Sequence, residues 1–121
     1  MDHKELEVWK ESMDLVVDVY QLTTKFPKSE QYGLTSQIQR SAVSVPSNIA
    51  EGCARRSEKE TFRFLSITLG SLAELETQLM IVERVGYCDS SLASIFEKIT
   101  KIRQLTLGLM RYIEKRLTTN T

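Results

Sequence analysis

The chain has 121 residues, of which 41% are hydrophobic and 26% are charged, and its formal net charge is +0. These values predict one compact domain, residues 1–121, and argue against a disordered chain. The balanced charge provides no overall attraction to nucleic acid or to an anionic membrane, so binding of either kind would need a local patch.

The first predicted helix covers about residues 6–24. Its apolar residues recur at spacings of three and four, which predicts a single buried stripe. Phe26-Pro27 ends the helix, because a proline disfavours helical geometry at the residue before it. The predicted stripe consists of Trp9, Met13, Val16, Val17 and Tyr20.

The second predicted helix covers about residues 29–54, with Leu34 as an alternative start, and is kinked or interrupted near Pro46. Proline inside a helix clashes with the preceding turn and lacks an N–H donor, at a cost of about 3 kcal/mol. The pattern therefore indicates a helix with a local weakness. Its apolar face consists of Leu34, Ile38, Ala42, Val45 and Ile49.

The third and fourth predicted helices cover about residues 57–85 and 90–117. Ser57 and Glu60 match a capping box at the start of the third helix, and Gly86 suits its end. Asp89 or Ser90 can cap the fourth helix. Both helices carry heptad-like seams. These seams are Leu65, Thr68, Leu72, Leu75, Leu79 and Val82, then Leu92, Ile95, Ile99, Ile102, Thr106, Leu109 and Ile113.

Four amphipathic helices joined by short connections predict an all-α, antiparallel up-down-up-down four-helix bundle. No segment alternates with a period of two, so a sheet is not expected. The third helix also carries a patch of small side chains, which suggests that another backbone comes close there. This patch consists of Ser66, Gly70, Ser71 and Ala73.

A dense polar stripe follows the second helix beside its apolar face. We interpret it as structural or as a subunit contact, because each buried polar group left unpaired costs ~1–3 kcal/mol. Contact with a ligand or RNA is the alternative. Arg40 needs an acceptor, either Glu74 or Glu76 of the third helix or a carboxylate of a neighbouring subunit. The candidate residues of this site are Arg40, Ser44, Ser47, Asn48, Glu51 and Glu74.

Several runs of the chain resemble one bacterial protein family. They are Glu30-x-Tyr32-Gly33-Leu34, Gly70-Ser71-Leu72-x-Glu74-Leu75 and the specific run Arg40-Ser41-Ala42-Val43-Ser44-Val45-Pro46-Ser47-Asn48-Ile49-Ala50-Glu51-Gly52. The chain resembles the "four helix bundle protein" family, also called the 23S ribosomal RNA intervening-sequence protein family. The resemblance covers essentially the whole chain.

The resemblance implies an antiparallel four-helix bundle that assembles as a homopentameric ring and has no accepted enzymatic activity. It also implies a relationship to the accessory variability determinant of diversity-generating retroelements, a basic barrel that binds reverse transcriptase and nucleic acid. Many members of the family are encoded inside intervening sequences of large-subunit ribosomal RNA genes, which suggests a link to RNA.

Basic residues cluster where the second helix ends and the third begins. Arg55, Arg56, Lys59 and Arg63 form this basic cluster, which is a candidate nucleic-acid patch. Several copies around one ring opening would strengthen its field. The fourth helix also ends with basic residues, and for Lys115 and Arg116 the plain interpretation is a solvated helix end.

Catalysis is the least supported class of function. The single histidine, His3, lies in a terminus that we expect to fray, so a serine or cysteine nucleophile has no suitable base. The chain also lacks the Glu-x-x-His pairs that a di-iron bundle needs. We therefore expect no catalytic residue, no metal site and no cofactor.

Cys53 and Cys88 are the two cysteines of the chain, and their spacing suggests neither a disulfide framework nor a zinc site. The N-terminus is charged where a secretory signal would be apolar, and no apolar run reaches the ~20 residues that cross a bilayer. We expect reduced thiols, a cytoplasmic location and no membrane partner.

Together these patterns predict a non-catalytic homo-oligomeric assembly or adaptor protein, a pentamer by resemblance. Its predicted partners are further copies of itself and RNA or a nucleic-acid-associated protein. The alternative is a purely structural oligomer that recruits a protein partner without binding nucleic acid.

Overall fold

The structure is a computed structural model that describes residues 1–89 and 92–119, apart from the side chain of Thr119. It contains four α-helices within these ranges: α1 Glu7–Thr23, α2 Leu34–Ala54, α3 Glu58–Val85 and α4 Ala93–Thr119. Two short 3₁₀ turns, His3–Glu5 and Lys28–Glu30, precede α1 and α2. Helix two thus begins at Leu34, the later of its two predicted starts. The predicted start of helix four at residue 90 lies outside the described residues.

The helices pack around the bundle in chain order. Each one contacts the next along the chain, α4 closes against α1, and the described residues show no diagonal packing. Ser41 in the first half of α2 binds Glu74 in the second half of α3, whereas Gly52 and Thr61 are in contact beside the turn that joins the two helices. The two helices are therefore antiparallel. The ion pairs between α1 and α4 follow the same reversed order. The predicted antiparallel up-down-up-down bundle is confirmed.

The predicted seams of α3 and α4 form much of the core. All six seam residues of α3 are buried, as are six of the seven in α4, with Leu109 half-buried. Thr68 and Thr106 sit within these seams because their hydroxyls donate to the carbonyls of Phe64 and Ile102 in their own helices. The apolar face of α2 is also as predicted, with Leu34 half-buried and the other residues buried.

The buried face of α1 differs from the predicted one. Met13, Val17 and Tyr20 are exposed, although the prediction placed them in the core. Ser12 lies in the middle of the true buried face, where its Oγ donates to the carbonyl of Val8 at 2.6 Å. Because a serine interrupts this face, the pattern favoured the neighbouring, wholly apolar stripe. The buried residues of α1 are Val8, Ser12, Leu15, Val19, Leu22 and Thr23.

The ends of α3 follow the sequence signals. Ser57 Oγ accepts a hydrogen bond from the backbone N–H of Glu60 at 3.1 Å. The Glu60 carboxylate binds Arg63 instead of completing the capping box. Gly86 adopts a φ of 75°, which glycine tolerates best, and its N–H donates to the Val82 carbonyl at 3.1 Å.

Helix α2 runs through Pro46 without a break. The predicted interruption is therefore wrong, and the predicted kink stays a prediction. The proline side chain is buried, so it contributes to the apolar packing that stabilises the helix despite the missing donor.

Helix α3 is unusually apolar along its length. Within the described chain it is the one helix whose length and mean hydropathy, 1.2 over an 18-residue window, would suit a membrane span. A core helix of a soluble protein can have the same properties. However, 39% of this window is buried inside the bundle, so part of its apolar surface faces outwards.

Candidate functional site

The polar stripe of α2 is satisfied mainly by its own backbone. Ser44 Oγ donates to the Ser41 carbonyl at 2.9 Å, and Ser47 Oγ donates to the Val43 carbonyl at 2.8 Å. Asn48 Nδ2 donates to the Ser44 carbonyl at 2.8 Å. These bonds occupy the turns beside the proline, where one backbone donor is missing. The three side chains are therefore satisfied within their own helix, although none of them reaches the Ala42 carbonyl, which Pro46 leaves without its helical donor.

Arg40 and Glu74 do not pair within the subunit. Glu74 Oε1 accepts a hydrogen bond from Ser41 Oγ at 2.6 Å, and Glu76 binds Arg103 at 3.0 Å. The Arg40 side chain is exposed and makes neither an ion pair nor a hydrogen bond with the described residues. The predicted pairing inside the chain is wrong, whereas an acceptor on a neighbouring subunit stays a prediction.

Two of the four residues of the basic cluster bind carboxylates and lie over an aromatic ring. Arg55 binds Glu51 at 2.8 Å and Arg63 binds Glu60 at 3.1 Å. Both guanidinium groups also lie over the Phe64 ring, at 4.8 and 4.6 Å from its centroid. The hydrogen bond from Arg63 lowers the pKa of Glu60, which keeps this carboxylate charged. In the part of the chain that the structure describes, the cations of the cluster without an ion pair are Arg56 and Lys59.

A carboxylate contact that the sequence did not reveal ties together the other end of the bundle. Tyr87 Oη donates to Glu30 Oε2 at 2.7 Å, while Glu30 Oε1 accepts from the backbone N–H of Leu34 at 3.2 Å. Both bonds favour the charged carboxylate, so they lower the pKa of Glu30, and the same bond raises the pKa of Tyr87. Glu30 thus caps α2 and connects its entry to the end of α3. In the sequence, Glu30 stood out only as the first residue of the Glu30-x-Tyr32-Gly33-Leu34 run, which was part of the family resemblance.

An apolar cleft lies between α1 and α2, with a volume of about 540 Å³. Val17, Tyr20 and Val43 remain 53, 44 and 40% exposed along it. Arg40 borders the cleft, since it lines an adjoining depression together with Tyr20 and Val43. Grouped, exposed apolar side chains are typical of interaction surfaces. The cleft is lined by Val16, Val17, Tyr20, Gln21, Thr24 and Val43.

The outer face of α3, which we define by Ile67, Gly70, Glu74, Met80 and Ile81, is a second exposed apolar surface. Its three large apolar side chains are 39, 47 and 43% exposed. A Cβ added at Gly70 would meet nothing within 4 Å. No other described backbone therefore comes close at Gly70, and a close approach between subunits stays a prediction.

The lone histidine does not form a catalytic arrangement. His3 packs against the Trp9 ring at 5.1 Å between centroids, within a 3₁₀ turn capped by Asp2. The expectation that this terminus frays is therefore wrong. Among the described residues, no three His, Cys, Asp or Glu side chains are grouped as a metal site would need. Glu51, Glu74 and Glu76 do not form a pair of carboxylates with one another, because they bind Arg55, Ser41 and Arg103 respectively.

The model of the 23S rRNA-intervening sequence protein family matches residues 4–108 of the chain. The chain belongs to this family. The fold of this intervening-sequence protein is similar to a solved structure, that of a protein of unknown function from the S23 ribosomal protein family of Bacteroides thetaiotaomicron. The two share 25% sequence identity and a TM-score of 0.78, over 85% of this chain and 97% of the relative. A comparison with curated proteins found no match.

The family assignment confirms the resemblance read from the sequence. It is consistent with the all-α fold and names no activity, and the solved relative is a protein of unknown function. The surfaces of this intervening-sequence protein therefore have to be interpreted from their own chemistry.

Proposed function

We propose that this protein is a non-catalytic homo-oligomeric assembly protein that acts as an adaptor. The observation that supports this proposal is the presence of two separate apolar surfaces on one small chain, the α1–α2 cleft and the outer face of α3. A monomer with such surfaces would be prone to uncontrolled association, whereas a defined assembly would cover them.

Because the sequence resembles a family whose members assemble as pentameric rings, we expect a ring of five copies. The cytoplasm is its expected location, because the spacing of Cys53 and Cys88 suggests no disulfide framework. No cofactor or metal is part of this proposal.

Light scattering coupled to size-exclusion chromatography tests the assembly directly. One chain has a mass of 13.9 kDa, and we expect a peak of several times this mass, with five times the value for the pentamer. A peak at the mass of one chain across the whole accessible concentration range would contradict the proposal.

Association with RNA or a ribonucleoprotein is a second candidate task. It is favoured by Arg56 and Lys59, two exposed cations that form no ion pair within the described residues. An oligomer would repeat this pair of charges in every copy, and repeated phosphate contacts make binding strong and dependent on salt.

Titration of a large-subunit ribosomal RNA fragment at several salt concentrations tests this task. The double variant Arg56→Glu, Lys59→Glu should weaken binding and flatten the salt dependence, by about 0.7 in slope for each lost contact with single-stranded RNA. The variant Lys25→Glu, Lys28→Glu changes two exposed lysines at the opposite end and serves as the matched control. Absence of binding at low salt would leave the alternative, a structural oligomer that recruits a protein partner.

A further inference from the structure

We infer that the assembly interface is head-to-tail and carries an ion pair between subunits, an inference that depends on the proposed self-association. In this interface the α1–α2 cleft of one copy receives the outer face of α3 of the next copy. Arg40 of the first copy then binds Glu74 of the second.

The charges of the two surfaces are complementary. Arg40 lies beside the cleft and has no ion pair within the described residues. Glu74 lies on the outer face of α3, where one carboxylate oxygen accepts from Ser41 and no described cation forms an ion pair with it. Between Arg63 and Glu83, Glu74 and Glu76 are the two charged residues of α3, and Glu76 is bound to Arg103. One unpaired cation thus borders the first apolar surface, and one unpaired anion lies on the second.

The two charges also lie at the same level of the bundle. Arg40 is the residue before Ser41, and Ser41 Oγ is 2.6 Å from Glu74 Oε1. Copies in a closed ring are related by rotation without a shift along the ring axis. When the bundles stand parallel to that axis, groups that meet between neighbours must therefore have the same height, as Arg40 and Glu74 do.

The shapes of the surfaces favour a contact between unlike faces. The cleft is a shallow depression between two helices, whereas Ile67 and Ile81 project from nearly the same side of a single helix. Packing cleft against cleft would bring two Arg40 side chains together, and like charges at an interface cost affinity. A head-to-tail contact pairs a ridge with a groove and opposite charges with each other.

Charge reversal tests the inference, with oligomer mass measured by light scattering over a dilution series. Arg40→Glu and Glu74→Arg should each weaken assembly by about tenfold or more, since each places like charges at every interface. Both changes in one chain should restore assembly to nearly the wild-type level. The matched controls are Lys28→Glu and Glu97→Lys, which reverse exposed charges away from both surfaces and should leave the mass unchanged.

Mixing the two single variants provides a second measurement that does not require the doubly changed chain to fold. Every contact between unlike chains then carries opposite charges at positions 40 and 74. A ring of five needs only one contact between like chains, so the mixture should assemble better than either variant alone. A monomeric wild-type protein would overturn the proposed function. An oligomeric wild type whose single variants assemble normally, or whose double variant and mixture both fail to recover, would overturn the interface alone.

Discussion

The two ends of α2 differ in how completely the chain packs them. Near its C-terminus, Gly52 lies so close to α3 that an added Cβ would be 2.8 Å from Phe64 Cβ. The Gly52 carbonyl also accepts from Thr61 Oγ1 at 2.7 Å. In the N-terminal half, Arg40 and Val43 remain exposed beside the cleft. The C-terminal end of α2 is thus packed tightly against α3, whereas its N-terminal half leaves side chains exposed on the surface.

Substitution of the two glycines should give the largest contrast. Gly52→Ala should lower the free energy of unfolding by about 1–3 kcal/mol, because the new methyl group overlaps Phe64 and the Thr61 carbonyl. Gly70→Ala meets no atom within 4 Å and should raise it by up to ~1 kcal/mol through helix propensity. Urea unfolding at concentrations below self-association measures both. Equal changes in the free energy of unfolding would contradict the distinction between the packed helix surface at Gly52 and the open one at Gly70.

A threonine pair on α3 tests the hydrogen bond at the packed end. Thr61→Val removes a buried donor to the Gly52 carbonyl and should cost about 1–2 kcal/mol. Thr77→Val is the matched control, since its exposed hydroxyl donates to the Ala73 carbonyl of the same helix. The control should change stability by less than about 0.5 kcal/mol. A Thr61→Val protein as stable as the control would show that this bond does not fix the α2–α3 contact.

The Glu30–Tyr87 contact at the start of α2 should have the smallest effect, which depends on pH. Its hydrogen bonds lower the pKa of Glu30 in the folded state, so the stabilisation is present above the ordinary value of 4.5 and is lost as pH falls below it. The melting temperature of Tyr87→Phe should therefore lie below wild type at neutral pH and approach it in acid.

Tyr32→Phe is the control for this experiment, because the Tyr32 side chain is 91% exposed. It should follow the wild-type melting curve at every pH. A constant difference between Tyr87→Phe and wild type from neutral to acid pH would exclude the charged carboxylate as the source of the stabilisation.

The sequence predicted the bundle well where one apolar stripe was clearly the strongest. The seams of α3 and α4 are regular enough to identify their buried faces, and the turn signals at Ser57 and Gly86 fix the ends of α3. Helix α1 instead has two apolar stripes side by side. Burial of Ser12 depends on a bond to its own helix, which a pattern of side-chain types does not reveal, so the outward stripe was assigned to the core.

The candidate site was predicted less completely, for a related reason. The polar residues of α2 were identified, but a serine hydroxyl can donate to its own helix or to another one, and only the coordinates distinguish these cases. Arg40 was expected to find an acceptor on α3 or on a neighbouring subunit. Within the chain, Ser41 binds one oxygen of Glu74 and Arg103 binds Glu76. The cleft was missed because its residues on α1 had already been assigned to the core.

The short connection between α2 and α3 has a consequence for folding. Three residues, 55–57, separate helices that end at Ala54 and begin at Glu58. Closing so small a loop costs little chain entropy, and the contact of Gly52 with Thr61 forms between near neighbours in sequence. This helical hairpin would be the first part of the molecule to form and the last to exchange its amide protons with solvent.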